Sequence, residues 1–226
     1  MTEYESPARA WQRMKRGNAR FVSGGPRHPR QDVERRQELA TSQAPSVALF
    51  GCADSRLAAE IIFDKGLGDL FVVRNAGQII SDSVIGSLEY AVAVLHVPLI
   101  VVLAHDNCGA VRATIDSVES GVPSESPHIQ TIINSITPAV EHVQRSHGDD
   151  GSEIDAALVG KQHLRHTVMD LVRGSEIISA AVTNGTLGIV GANYELVNGT
   201  ASAHVVFGDI DHENTTGRTT TTRSAP

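Results

Sequence analysis

Residues 98–109 read Pro-Leu-Ile-Val-Val-Leu-Ala-His-Asp-Asn-Cys-Gly, an apolar run that passes directly into polar side chains. An apolar run of this length predicts a strand buried on both faces, as in a parallel sheet. Shorter runs at 46–50 and 69–73 predict two further strands, and the apolar segment 83–95 predicts a helix between the second strand and the third. This succession indicates right-handed crossovers and a mainly parallel sheet flanked by helices.

Helices dominate the rest of the chain, apart from a hairpin near its end. Amphipathic spacing predicts a helix that ends at Gly24-Gly25-Pro26 and a second helix over 32–41. Four more helices are predicted over 110–119, 129–145, 153–173 and 175–183. The apolar runs 187–196 and 201–207 flank Asn198-Gly199, which supplies the positive φ angles of a tight antiparallel turn.

These elements predict an α/β fold in one compact domain. We expect an N-terminal helical arm at 1–44 that packs on the body or on another subunit. The α/β domain follows at 45–208, with a central, mainly parallel sheet that ends in the antiparallel hairpin. Residues 209–226 lack apolar periodicity and are predicted to form a disordered tail.

Charge and cysteine usage exclude several classes of function. The 19 Lys and Arg against 26 Asp and Glu give a formal charge of −7, which argues against a binder of nucleic acid or of anionic membranes. No apolar run approaches the roughly 20 residues of a membrane-spanning helix, and the acidic start lacks an export signal. Because the chain has only 2 cysteines, we expect a reducing, cytoplasmic location without a disulfide framework.

Both cysteines follow predicted strands, at the edge where a parallel sheet binds its ligands. Cys52 comes directly after the first strand, and His105 and Cys108 come after the third. Two thiolates and an imidazole suit zinc, and a set of three ligands leaves a fourth position open for chemistry. The plain alternative is two buried core thiols and a hydrogen-bonded histidine. Asp54 and Arg56, one turn beyond Cys52, favour the metal site because charges at a buried strand end need partners.

The two motifs together are typical of one enzyme family. Gly51-Cys52-Ala53-Asp54-Ser55-Arg56, followed by His105-Asp106-Asn107-Cys108-Gly109, resembles a β-class carbonic anhydrase. The resemblance implies one zinc ion per subunit, held by Cys52, His105 and Cys108. It implies a catalytic dyad of Asp54 and Arg56, in which Arg56 holds Asp54 off the metal, so that breaking the pair makes Asp54 a fourth metal ligand.

The resemblance also implies a substrate and an assembly. The substrate-binding positions are Gln43, Phe71, Ala76, Tyr90 and Gly109. The implied reaction is the reversible hydration of carbon dioxide to bicarbonate and a proton. The implied assembly is a homodimer or a dimer of dimers, in which the arm embraces the partner and Gln43, Phe71 and Tyr90 line a site at the subunit boundary.

Two rival functions use the same residues, and one further pair of histidines needs an explanation. A hydrolase of carbonyl sulfide or carbon disulfide would use the same zinc-activated water, and a non-enzymatic zinc-binding or redox-sensing protein would use the two thiols alone. The intact pair of Asp54 and Arg56 argues against the second rival.

His163 and His166 lie three residues apart on a predicted helix, where a solvated face is a better interpretation than a second metal site.

Overall fold

A five-stranded sheet forms the centre of this computed structural model, which describes residues 5–147 and 153–210. The strands are β1 (Val47–Cys52), β2 (Leu70–Asn75), β3 (Leu99–His105), β4 (Gly188–Tyr194) and β5 (Ala201–Phe207). Their order in the sheet is β2-β1-β3-β4-β5. The first four strands in this order pair in parallel, and β5 pairs antiparallel with β4. The predicted mainly parallel sheet with an antiparallel C-terminal pair is therefore confirmed.

Helices cover both faces of the sheet. They are α1 (Pro7–Val22), α2 (Val33–Glu38), α3 (Ala59–Ile62), α4 (Asp82–Ala93), α5 (Gly109–Ser120), α6 (Pro127–His147), α7 (Ala156–Gly174) and α8 (Glu176–Thr183), with a 3₁₀ turn at Ala76–Gln78. Successive strand side chains point to opposite faces. Leu49 accordingly packs in the core beneath α1, α5 and α6, and Phe50 in the core beneath α4, α7 and α8.

The predicted arm begins with a helix that is anchored in the core. Ser6 caps α1 by accepting a hydrogen bond from the Arg9 amide at 3.3 Å, and Trp11 and Met14 are buried. The second helix, α2, ends at Glu38 and is therefore shorter than predicted. Asp32 caps it as expected, since its side chain accepts a hydrogen bond from the Arg35 amide at 2.8 Å. The division of the chain into an arm and a body stays a prediction.

The turn between β4 and β5 differs from the prediction in its geometry. Residues 195–200 separate the strands, and Gly199 has φ +76°, whereas Asn198 is not among the residues with positive φ. The predicted tight turn with two positive φ angles is therefore wrong. Asn198 instead closes the loop with its side chain, whose Oδ1 accepts a hydrogen bond from the Thr200 amide at 2.8 Å. The Phe21 ring lies against Gly199, so α1 helps to set this conformation.

The end of the chain is described only in part. Ile210 is buried in the core beside Gly188 of β4. The rest of the predicted tail, residues 211–226, lies outside the described residues. Among the helices of the described ranges, none combines the length and apolarity needed to span a membrane.

Candidate metal centre

The parallel pairing of β1 with β3 brings the predicted metal ligands to one edge of the sheet. Ala48 pairs with Ile100 and Gly51 with Leu103, so both strands end at the same level. Cys52 is the last residue of β1, and His105 is the last residue of β3. Cys108 caps α5, so its sulfur lies at a helix N-terminus, where a negative charge is favoured.

The three side chains form one buried cluster. The ligand atoms of Cys52, His105 and Cys108 all lie within 4.8 Å of one another. His105 Nδ1 is 2.7 Å from the Asp106 carbonyl oxygen, which can only accept, so Nδ1 carries the proton and Nε2 a lone pair. That buried Nε2 has no hydrogen-bond partner among the described residues.

These features fit zinc. Tetrahedral zinc–sulfur bonds of about 2.3 Å place two ligating sulfurs about 3.8 Å apart, which is compatible with the observed separations. The buried Nε2 of His105 has a free lone pair, which is what a metal ligand requires. The cluster can therefore hold one zinc ion through two sulfurs and one nitrogen.

The surroundings of the cluster favour the ionised form of one of its two sulfurs, that of Cys52. The Gly77 amide donates to Cys52 Sγ at 3.4 Å. A hydrogen bond from Cys108 is the main reason why the pKa of Cys52 falls to about 4, although burial opposes that shift. The same hydrogen bond, together with burial, raises the pKa of Cys108. The one proton that remains between the two sulfurs therefore lies on Cys108. Cys52 is thus a thiolate at neutral pH.

Asp54 and Arg56 form a two-pronged ion pair beside the cluster. Arg56 Nε donates to Asp54 Oδ1 at 2.9 Å, and Nη2 donates to Oδ2 at 2.6 Å. These hydrogen bonds hold the pKa of the Asp54 carboxyl well below its usual range. Asp54 Oδ2 is 3.8 Å from His105 Nε2, yet Asp54 does not belong to the cluster of ligand atoms. Its predicted role as a fourth ligand stays a prediction.

Arg74 of β2 fixes the backbone that carries these groups. Its Nε donates to the Cys52 carbonyl at 3.0 Å, and its Nη2 donates to the Asp54 carbonyl at 2.6 Å. Arg56 reaches across in the same way to the Asn107 carbonyl at 3.2 Å. The two arginines therefore tie the segment after β1 to its neighbours. No sequence pattern assigns Arg74 to this position, because the contact depends on the register of β1 with β2.

The predicted substrate-binding residues do not all lie at this edge, since Gln43 precedes β1 and Phe71 lies near the start of β2. Gly109 lines a cavity of about 340 Å³ together with His105 and Cys108. Ala76 is exposed and directly precedes Gly77. Phe71 and Tyr90 form a separate pair, with ring centroids 6.1 Å apart. Gln43 is exposed in the segment before β1. Their role in binding substrate is untested by this arrangement and stays a prediction.

The prediction of a solvated face for His163 is wrong. His163 is only 2% exposed, and its Nε2 lies 2.7 Å from the Gly77 carbonyl oxygen. His166 is half-buried and pairs with Gln162 at 2.8 Å. One signal could have placed His163 correctly: His163, Thr167 and Leu171 recur every four residues, which is the spacing of a buried helix face.

Comparisons with known proteins agree on one family. A family model described as carbonic anhydrase matches residues 47–201. A carbonic anhydrase of Mycolicibacterium smegmatis is 46% identical over 206 residues, which are 91% of this chain and 97% of that protein. The structure of a Coccomyxa β-carbonic anhydrase in complex with acetazolamide has a TM-score of 0.64 and 27% identity, covering 74% of this chain and 75% of that one. Tetrameric β-carbonic anhydrases of Sordaria macrospora share the fold, with a TM-score of 0.64 and 22% identity over 74% of this chain and 84% of theirs.

Proposed function

The chain belongs to the β-class carbonic anhydrases, and from this premise we propose that it catalyses the zinc-dependent, reversible hydration of carbon dioxide to bicarbonate and a proton. One observation carries the proposal. Cys52, His105 and Cys108 converge in a buried cluster with Asp54 beside it, so a metal and a fixed carboxylate can act on the same small molecule. The zinc stoichiometry we propose is one ion per subunit, held by these two sulfurs and by His105 Nε2.

The chain's own residues have distinct roles in this proposal. Zinc, when bound, supplies a Lewis acid that acidifies a water molecule toward neutral pH. Asp54 stays ionised, because Arg56 holds its pKa low, and can therefore only accept a hydrogen bond at its oxygens. Arg56 fixes the direction of that acceptor through two parallel hydrogen bonds. Asp54 thus orients the attacking water rather than removing its proton.

The substrate pocket in this proposal needs a second subunit. Gln43, Phe71, Ala76, Tyr90 and Gly109 are the proposed lining. Tyr90 is 45% exposed although its ring packs on Phe71, so one wall of the pocket is open to a partner. The tetrameric relatives from Sordaria macrospora support a homo-oligomer, either a dimer or a dimer of dimers. Two free cysteines that serve as metal ligands also support a reducing, cytoplasmic location.

The test combines metal analysis with stopped-flow hydration of carbon dioxide. We expect stoichiometric zinc in the purified wild-type protein. Asp54→Ala should lower kcat/KM by about 100-fold, because the group that orients the attacking water is lost. Asp116→Ala is the matched control, because this exposed carboxylate of α5 pairs only with Arg112 among the described residues. Zinc-free wild-type protein, or faster turnover of carbonyl sulfide than of carbon dioxide, would overturn the proposal.

A further inference from the structure

A buried hydrogen-bonded link joins helix α7 to the sulfur of Cys52. His163 points from α7 to the 3₁₀ turn, where its Nε2 is 2.7 Å from the Gly77 carbonyl oxygen. A carbonyl oxygen accepts only, so Nε2 must carry the proton. Burial lowers the pKa of His163, which keeps the ring neutral and makes it a single, directed donor. The residue it holds, Gly77, donates its own amide to Cys52 Sγ at 3.4 Å.

The 3₁₀ turn at Ala76–Gln78 requires glycine at position 77. Its φ is +73°, a conformation that favours glycine, and an added Cβ would lie 2.9 Å from the Ala110 Cβ. The Thr167 hydroxyl of α7 lies 3.4 Å from the Gln78 carbonyl oxygen, although its closer acceptor is the His163 carbonyl at 3.0 Å. The main contact from α7 to the turn is therefore the one from His163 to the Gly77 carbonyl, and the amide of the same residue is directed at the Cys52 sulfur.

Within the described parts of the chain, the Nε2 of His163 makes no second hydrogen bond that would compete with the one to Gly77. A cavity of about 170 Å³ lies beside the ring, lined in part by Ser135, His166 and Asp170. The other ring nitrogen, Nδ1, is buried and has no hydrogen-bond partner among the described residues. The only polar contact of the His163 ring in the described ranges is therefore the one to Gly77.

We propose that His163 is a positioning residue for the metal centre, which keeps the Gly77 amide on the Cys52 sulfur and thereby sets the strength of that ligand. An N–H donated to a ligating thiolate stabilises the charged sulfur and fixes its position, and loss of such an outer contact typically weakens metal binding. The inference rests on the proposed zinc centre. It adds a residue of α7, 111 positions beyond Cys52 in the chain, to those that control it.

The test compares two variants of His163 whose side chains have similar length, each made in the full-length protein. His163→Met removes the donor, His163→Gln keeps an N–H at the same position, and His166→Met is the control on the same helix. Zinc affinity is measured by competition with a chelator, and the sulfur-to-metal charge-transfer band is recorded with cobalt(II) in place of zinc. In the wild type loaded with cadmium-113, NMR tests directly for scalar coupling between the metal and the Gly77 amide proton through the sulfur.

The expected results are specific to a positioning role. His163→Met should weaken zinc binding by about 10- to 100-fold and shift the cobalt band, whereas His163→Gln and His166→Met should stay within about threefold of the wild type. A residue that only supports folding would lower the stability of all metal states without moving the band. A folded His163→Met with wild-type affinity and band overturns the inference, as does an absent coupling at Gly77, which needs no variant. Wild-type protein that binds no zinc overturns the proposed function instead.

Discussion

Replacing Lys65 should make the protein more stable at neutral pH, by an amount that shrinks as the pH rises. The Lys65 side chain is only 7% exposed and makes no hydrogen bond or ion pair with any described residue. Burial is the main reason why the pKa of Lys65 falls to about 8, and the positive charge of Arg13 adds to the shift. The nearby carboxylates of Glu5 and Asp69 form ion pairs with Arg13 and Arg30 respectively, so neither carboxylate is left to pair with Lys65 alone.

The sign and size of the effect follow from the two pKa values. An unfolded lysine titrates near 10.5, so between about pH 8 and 10.5 the unfolded chain binds more protons and the free energy of unfolding rises with pH. The charged amine therefore destabilises the fold fully below pH 8. Before solvent screening reduces it, a shift of this size corresponds to at most about 3 kcal/mol at pH 7, about 2 kcal/mol at pH 9 and under about 1 kcal/mol at pH 10.

Lys65→Met preserves the length of the side chain and removes its charge. Urea unfolding at pH 7, 9 and 10 should show a stability gain over the wild type that falls along this series. Lys15→Met is the matched control, because Lys15 is exposed on α1 and its replacement should change stability by less than about 0.5 kcal/mol at each pH. A gain that does not depend on pH, or a less stable Lys65→Met protein at pH 7, would refute the reasoning.

Two further changes test the site and the packing of α1. Arg56→Ala should lower kcat/KM for hydration by about 10- to 100-fold, because Asp54 loses the partner that directs it and, by the prediction above, becomes free to bind the metal. Wild-type activity of this variant would contradict that role of Arg56. Asn18→Ala removes hydrogen bonds to the Ile62 and Gly199 carbonyls at 3.2 and 2.8 Å and from the Ala201 amide at 3.0 Å. It should destabilise the protein by about 2–4 kcal/mol in urea, whereas the exposed control Asn134→Ala should have little effect, and equal losses would contradict this reasoning.

The sheet and the ligand cluster could be predicted because their determinants are local. An apolar run such as 98–104 identifies a buried strand by itself, and the carboxyl ends of neighbouring parallel strands must share an edge. Cys52 and His105 follow such runs directly, so their proximity needs no knowledge of side-chain packing. The pairing of Asp54 with Arg56 is also local, since only Ser55 separates them in the chain.

The parts that could not be predicted depend on contacts between distant segments. His163 and Gly77 are 86 residues apart, and the periodicity of α7 does not reveal which buried position meets a carbonyl. The same limit explains the loop at Asn198-Gly199, where a local turn preference loses to tertiary contacts. Phe21 packs against Gly199, and Asn18 binds the Gly199 carbonyl, so α1 selects the loop conformation from outside the hairpin.

The charge balance of the centre explains why these distant contacts matter for function. Two ionised thiolates formally cancel the charge of a divalent metal, which weakens it as a Lewis acid compared with a site of neutral histidines. The fold counters this with N–H groups aimed at the sulfurs, from Gly77 to Cys52 and from the first turn of α5 to Cys108. Because these donors are backbone groups, no replacement of a ligand or of the Asp54–Arg56 pair can alter them. Only a residue that holds the backbone in place, as His163 holds Gly77, allows that contribution to be measured separately.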